Sequence, residues 1–266
     1  MSYKPKTNDL IILLEPEKNK KYIFNIETMP ERFSTQHGYI EKDKILATPF
    51  GSPVKTHLGR KYLLLPATLY DFIMFKLNRL TQIVYPKDAA YIALRLDVKP
   101  GSVVIESGIG SGAMSAVFAT IVGSSGKLIS YEAEEKFIKN ALKNLKKIGL
   151  DGNIEIKHRN IAEGFDEVET ADAFFLDVKE PWLYLSNVVK TLKNGRMLAV
   201  LVPTTNQVSS TLKAMETLPL IDIEVSEIIK RDWKTNPERL RPKDVMSAHT
   251  AFLIFARKIA TLEDTP

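Results

Sequence analysis

Val103–Gly112, VVIESGIGSG, constrains this chain more than any other stretch. The β-branched run Val103, Val104 and Ile105 ends in Glu106, glycines follow at 108, 110 and 112, and a helix-forming segment begins at Ala113. That order predicts a strand, a tight glycine loop and a helix, the opening unit of a nucleotide-binding α/β fold. Glycines remove the Cβ atoms that would hold a ligand off the backbone. The helix start offers free N–H groups to an electron-rich ligand.

Glycines at this spacing also occur in ordinary loops, and Gly108-Ile-Gly110-Ser-Gly112-Ala113 fits an NAD fingerprint as well. Two acids separate the readings. Glu106 stands two residues before the first glycine, where a dinucleotide site usually has no acid. Glu132 closes the next predicted strand, 24 residues beyond Gly108, and suits a carboxylate gripping a ribose diol. Both favour S-adenosylmethionine, with NAD as the rival.

Beyond Gly101, strands are predicted at 103–107, 128–132, 154–158, 172–177 and 197–202. Helices are predicted near 113–122, 135–148, 182–192 and 206–217. The alternation implies a parallel sheet covered on both faces, with ligands at the carboxyl ends of the strands. Ile221–Trp233 and His249–Lys258 both read as strands with no helix between them, so they pair antiparallel at the sheet edge. That ending suits a methyltransferase better than a dehydrogenase. Asp177 ends the fourth strand on the same rim as Gly108, facing the transferring methyl or capping the next helix. Pro181-Trp182 starts that helix and brings an indole to the pocket mouth, unless the ring only packs.

Residues 1–66 predict a small β module, barrel or sandwich. Short runs at Leu10–Leu14, Lys21–Ile26, Gly38–Ile40, Lys44–Ala47 and Tyr62–Leu65 are split by turn signals at Gly38, Gly51-Ser-Pro53 and Gly59. Lys55, Arg60 and Lys61 surround a predicted hairpin, either as a solvated turn or as a phosphate-contacting edge. Residues 67–100 connect the two parts, through a helix over Pro66–Leu80, the loop TQIVYPKD and a helix from Ala89 capped by Asp88. The polar Thr81, Gln82 and Tyr85 decorate that loop or, if it folds over the glycines, line the cofactor site. The catalytic domain takes 101–260, and 261–266 form a tail.

Composition narrows the class. An apolar content of 44% supports a proper core, and there is no apolar run of membrane-spanning length. With no signal peptide before Met1-Ser2-Tyr3-Lys4, the expected location is the cytoplasm. The absence of cysteine excludes disulfides and thiolate chemistry, and the four histidines are too scattered for a metal site. A net charge of +5 permits a nucleic-acid partner.

The motifs, taken in order, resemble the tRNA (adenine-N1)-methyltransferases of the T-loop. They are His37-Gly38, THLGRKY, TQIVYPKDAAYI, ESGIGSGAMS, SYEAEEKF, FLDVKEPW, PTTNQV and finally RDW…RP…HTAFL. The resemblance spans nearly the whole chain. It implies a seven-stranded Rossmann-like class I methyltransferase domain behind a β-barrel-like module, a homotetramer, and methylation of N1 of adenine 58, with adenine 57 also modified by archaeal members. It assigns the cofactor loop to Gly108, Gly110, Ser111, Gly112 and Ala113, the ribose acid to Glu132, and further cofactor contacts to Gln82, Phe137, Asn160 and Ile161. Asp177 matches the catalytic aspartate beside the methyl group. Tyr85, Trp182 and His249 fall to the tRNA substrate, as do Lys55, Arg60 and Lys61. The chain departs from the family at Leu80, Ile109, Ser115 and Ala248. It departs again at Asn160, where an aspartate usually holds the adenine amino group.

The chemistry can be argued independently of the resemblance. Adenine N1 carries a lone pair and needs no base before attack, but methylation leaves a cation spread over N1, C6 and N6. A carboxylate accepting from N6–H stabilises that charge as it develops. Two rival readings are a non-catalytic tRNA-binding subunit and a methyltransferase for small molecules or protein carboxylates. The first would lack the glycines and Asp177. The second gives no reason for a basic β module.

Overall fold

A computed structural model describes residues 3–260, so the predicted tail at 261–266 lies outside the described residues. The chain divides into two compact units. One runs to Asn78 and takes in Lys143–Leu150; the other comprises Arg79–Leu142 and the chain from Asp151 onward.

In the first unit, β1 (Leu10–Glu15) is the apolar strand LIILLE, buried almost throughout. It therefore has a neighbour on each side, β2 (Lys20–Asn25) and a later strand, β6. Between them come the hairpin β3 (Arg32–Thr35) and β4 (Gly38–Glu41), helix α1 (Lys42–Ala47) and the short β5 (Pro53–Lys55); β6 spans Lys61–Pro66. The main sheet is antiparallel, in the order β2-β1-β6-β5, and β3–β4 forms a separate ladder. Ile11, Leu13, Ile26, Ile40, Ile45, Tyr62 and Leu64 make its core. The barrel-like module expected from the turns is thus a small antiparallel β domain.

The predicted strand at Lys44–Ala47 is wrong. Those residues belong to α1, in which Ile45 alone is buried, so the segment lacks the alternation a strand would need. The helix predicted over Pro66–Leu80 contracts to α2 (Leu69–Phe75), opened by a Thr68–Asp71 capping box. It is capped at Lys76, and beyond it the Asn78 N–H donates to Asn144 Oδ1 at 3.1 Å while the Asn78 carbonyl accepts from Asn144 Nδ2 at 2.9 Å.

The second unit opens with α3 (Pro86–Arg95). Asp88 is not its cap; Tyr85 precedes the first turn, and Asp88 lies within it, 1% exposed. Then follow β7 (Val103–Ser107), α4 (Ala113–Val122), β8 (Lys127–Glu132), α5 (Glu135–Lys146), β9 (Ile154–His158), β10 (Ala171–Leu176), α6 (Leu185–Thr191), β11 (Leu192–Val202) and α7 (Thr205–Met215). The chain closes through β12 (Leu220–Ser226), the two-residue strands β13 (Trp233–Lys234) and β14 (Arg241–Pro242), and β15 (Phe252–Lys258). The strand predicted through Trp233 ends at Ser226, and Trp233 pairs with Pro242 instead.

Seven strands form one sheet in the order β12-β15-β11-β10-β7-β8-β9. The five central and distal strands run parallel, while β15 is antiparallel to both β11 and β12, as expected of the closing pair. Four of the five residues of β7 and five of the six of β10 are buried, the pattern of strands covered on both faces. From β7 the chain winds outward through β8 and β9, then returns to the other side of β7 as β10. That reversal opens a crevice between the carboxyl ends of β7 and β10, where open α/β sheets bind ligands.

Candidate active site

Three glycines with positive φ follow β7, Gly108 (+91°), Gly110 (+51°) and Gly112 (+82°), and the first two line the crevice. Their neighbours leave no room for a side chain at the first two. A Cβ on Gly108 would stand 2.0 Å from the Asp177 carbonyl oxygen, and one on Gly110 would stand 2.8 Å from Thr81 Oγ1. The loop before α3 does fold over the glycines. Ser111 Oγ accepts from the N–H groups of Leu80 and Thr81 at 3.1 and 3.2 Å, and lies 3.0 Å from Thr81 Oγ1. The result is a cavity of about 400 Å³ walled by Gln82, Ile83 and Val84 on one side and by Glu132, Phe137 and Asp177 on the other. A second recess of about 200 Å³, lined in part by Arg159, Asn160, Ile161 and Tyr184, shares Gly108, Glu132, Val178 and Lys179 with it.

Three carboxyl groups converge here. Glu132 Oε1 accepts from the Glu134 N–H at 3.0 Å, and its Oε2 lies 3.5 Å from the Gly110 N–H. Glu106 is 1% exposed and accepts from Ser115 Oγ at 2.5 Å. Burial pushes its carboxyl up to about 7, aided by the charges of Asp177 and Glu132, although the hydrogen bond from Ser115 pulls the other way. Asp177, half-buried at the end of β10, is likewise raised to about 7 by burial and by Glu132. Carboxyls held this far above their ordinary range are strained when ionised, and a bound cation relieves the strain. A ligand with a positive centre and a diol therefore fits the donor set. Among the described residues no three His, Asp or Glu side chains are grouped to hold a metal ion.

Of the residues expected at the cofactor, Gln82, Gly108, Gly110, Ser111, Ala113, Glu132, Phe137 and Asp177 line the first cavity, and Asn160 and Ile161 the second. Gly112 lines neither. It starts α4, where its missing Cβ lets Ala141 of α5 approach; a Cβ would come within 3.3 Å of that methyl. Asn160 Oδ1 accepts from the Ala162 N–H at 3.0 Å and caps a short 3-10 turn. Ile83, Val84 and Tyr184 were missed, since isolated apolar residues in loops carry no pattern that marks a cavity wall.

The expected substrate residues are more scattered. Tyr85 accepts from Gln82 Nε2 at 3.3 Å and lines neither cavity. Trp182 lies in a 3-10 turn, Pro181–Leu183, where the expected α-helix does not form; it lines neither cavity, and Tyr184 takes the position at the recess. His249, expected at the substrate, has both ring nitrogens beside protein acceptors, Glu227 and Pro203. Arg60, expected at a phosphate, donates instead to Glu15 at 2.9 Å and to Glu17 at 2.7 and 2.9 Å. The cause is Glu15, fully buried and in need of a countercharge. Lys55 and Lys61 remain exposed on β5 and β6.

The model of a family described as "tRNA methyltransferase complex GCD14 subunit" matches residues 61–252. A relative from Methanocaldococcus jannaschii, named tRNA (adenine(57)-N(1)/adenine(58)-N(1))-methyltransferase TrmI, is 31% identical and aligns over 92% of this chain and 94% of its own. A solved structure described as a SAM-dependent O-methyltransferase from Thermotoga maritima superposes with a TM-score of 0.89 at 44% identity, covering 98% of this chain and 97% of that one. Another, of tRNA (m1A58) methyltransferase TrmI from Aquifex aeolicus, gives 0.83 at 35% identity over 97% and 100% of the two chains. The family match runs from the first residue of β6 to the first residue of β15 and so takes in the whole rim of the crevice: this chain belongs to the family of the tRNA methyltransferase complex GCD14 subunit.

Proposed function

We propose that this protein transfers a methyl group from S-adenosylmethionine to N1 of adenine 58 in the T-loop of tRNA, with adenine 57 a second target as in the archaeal relative's name. The observation that carries the reading is Asp177, a raised carboxyl at the end of β10 whose backbone touches the glycine loop. S-adenosylmethionine supplies an electrophilic methyl on a sulfonium. The N1 lone pair takes that methyl carbon, the carbon–sulfur bond leaves with its electrons on sulfur, and the base becomes a cation. Asp177 accepts from the exocyclic N6–H and so stabilises the new charge while orienting N1. Glu132 takes the ribose diol, and the backbone at Gly108 and Gly110 approaches the methionine half. Asn160, whose side-chain carbonyl already accepts from the Ala162 N–H, would offer that oxygen to the adenine amino group of the cofactor. In folded tRNA the target base must leave its stack, at a cost of a few kcal/mol, which cationic contacts to phosphate offset.

The decisive experiment incubates unmodified tRNA with labelled S-adenosylmethionine and digests it to nucleosides. Label in 1-methyladenosine is the expected result, and its absence overturns the reading. One observation favours a second reading, methylation of an oxygen: a carboxyl near 7 is a competent base for a hydroxyl, and the Thermotoga structure carries an O-methyltransferase description. Label in a 2′-O-methyl nucleoside would select it.

Cofactor affinity should depend on pH with a definite sign. Glu106 and Asp177 are protonated below about pH 7 in the free protein, and a cationic ligand favours their ionised forms. Affinity for S-adenosylmethionine is therefore expected to rise between pH 6 and pH 8, by about tenfold for each carboxyl that ionises on binding, and then level off, with protons released on binding near pH 7. Calorimetry in buffers of different ionisation enthalpy measures both effects, and a flat profile would remove the two carboxyls from the site.

The tRNA grip is assigned to Lys55 and Lys61, since Arg60 is occupied by Glu15 and Glu17. Replacing both lysines by alanine should weaken tRNA binding and flatten its salt dependence by roughly 0.9 log units per lost phosphate contact, leaving cofactor affinity unchanged. An unaltered slope would make this hairpin a solvated turn. The working enzyme is proposed to be a cytoplasmic homotetramer. Ile221, Ile223 and Val225 on the edge strand β12, each at least 40% exposed, support contact with another copy. Among the described residues no helix is long and apolar enough to cross a membrane.

A further inference from the structure

The pair His249-Thr250 lies just before β15, and each side chain secures a different wall of the crevice. Thr250 Oγ1 donates to Asp88 Oδ2 at 2.9 Å. Lys87 Nζ completes that knot, reaching Asp88 at 2.7 and 2.9 Å, Thr250 Oγ1 at 2.7 Å and the Ile228 carbonyl at 2.6 Å. Thr250 thereby anchors the first turn of α3, directly after the loop Thr81–Val84 that walls the cavity.

His249 is held differently. Its Nδ1 lies 2.5 Å from Glu227 Oε1, and its Nε2 lies 2.9 Å from the Pro203 carbonyl oxygen. A peptide carbonyl only accepts, and so does an ionised carboxylate. A neutral imidazole has a single N–H and would leave one of these two contacts as a pair of facing lone pairs. With Glu227 ionised, both contacts are made only if both nitrogens carry protons. We infer that His249 works as an imidazolium and is a positioning residue for methyl transfer, clamping the exit of β11 at Pro203 to Glu227 beyond β12.

The clamp reaches the reacting centre through α7. Pro203 is followed by Thr204, the cap of that helix, whose Oγ1 donates to Gln207 Oε1 at 2.7 Å. Gln207 Nε2 in turn donates to the Lys179 carbonyl at 2.8 Å, two residues after Asp177. Fixing Pro203 thus fixes the turn that presents the Asp177 carboxyl. Charges around the ring agree with the geometry. Glu227 holds the imidazole above its ordinary range, the Pro203 carbonyl adds to this, and Lys87 on α3 opposes it while itself paired with Asp88. The Phe252 ring, 4.7 Å away, contributes no charge.

The role in methyl transfer rests on the function proposed above, but the charge state does not, so the two are tested separately. Proton NMR of the full-length protein follows the ring signals of its four histidines, with His249→Gln identifying the signal of interest. His249 is expected to titrate above 6.5, and Glu227→Gln is expected to lower its midpoint. A midpoint at or below 6.5 in the wild type overturns the inference. Single-turnover methylation of tRNA at saturating S-adenosylmethionine then reads the consequence. The wild-type rate should fall at alkaline pH along the NMR titration, and Glu227→Gln should move that fall to lower pH. His249→Gln, which keeps one donor for Pro203, should lose the alkaline limb and about tenfold in kcat, with the KM for tRNA within about twofold. His249→Ala should be slower still. A raised KM at unchanged kcat would make His249 a substrate contact, and a persistent alkaline limb in His249→Gln would assign that limb elsewhere; either overturns the positioning role. A wild-type protein that leaves tRNA unmethylated defeats the proposed function, while the NMR titration still decides the charge.

Discussion

Asp177→Ala is expected to lower the rate of methyl transfer to tRNA by about 10²–10³, the usual cost of removing one group aimed at charge that develops in a transition state. Affinities for tRNA and for S-adenosylmethionine should stay within about tenfold of the wild type, a difference of about 1.4 kcal/mol. The separation follows from where the carboxyl stands. Asp177 occupies the end of β10 on the cavity wall, and its burial and the neighbouring Glu132 keep it near 7. It therefore has less to offer the ground state, where the positive charge lies on the sulfonium, than the transition state, where that charge moves onto the base whose N6–H it accepts. Asp177→Asn should retain shape and one acceptor but lose the charge, and it should fall close to the alanine variant. Turnover within threefold of the wild type in either protein, measured under single-turnover conditions, would remove Asp177 from the mechanism.

Gly108→Ala is the second large effect, and it acts through the backbone. A Cβ there would sit 2.0 Å from the Asp177 carbonyl oxygen, which is fixed by the sheet: the Asp177 N–H donates to the Ser107 carbonyl at 2.9 Å. Moving either partner breaks the β7–β10 register at the rim. The strained φ of +91° adds to the clash. Together the two costs are expected to reach about 2–5 kcal/mol of stability, and the variant should bind cofactor at least tenfold more weakly. Gly59→Ala is the matched control. Its φ of +87° is as unfavourable, but a Cβ there would have nothing within 4 Å. Its expected cost is about 1 kcal/mol, with cofactor binding unaffected. Urea denaturation of the two variants, with calorimetric titration of S-adenosylmethionine, makes the comparison. Equal losses at both positions would show that φ alone matters and that the contact with Asp177 does not.

The α/β half of this protein could be read from residue order because its signals are local. Alternating burial, helix periodicity and glycine loops repeat every few residues, and β7, α4 and β9 begin and end where the pattern says they should. The amino-terminal unit was harder. Its strands are as short as three residues, as at Pro53–Lys55, and α1 buries only Ile45, so neither period has room to develop. The places of Gly108, Glu132 and Asp177 in the crevice were equally readable, because each closes or follows a strand and strand ends share one edge of a parallel sheet; Gln82 and Phe137 lie before α3 and within α5.

By itself, the order of residues determined the fold class, the glycine loop, the paired acids Glu106 and Glu132, and the place of Asp177. All of these follow from contacts between near neighbours in sequence or from the rule that parallel strands gather their carboxyl ends. Tertiary structure alone decided what each charged side chain meets. Arg60 belongs to Glu15, 45 residues away, because a fully buried carboxylate requires a cation. His249 belongs to Glu227 and Pro203, and Thr250 to Asp88, 162 residues distant. Such pairings depend on which surfaces packing brings together, and the residue types alone carry no record of that choice. A histidine beside a threonine reads the same in sequence whether it faces a substrate or clamps a loop, and only the two acceptors at its nitrogens distinguish them.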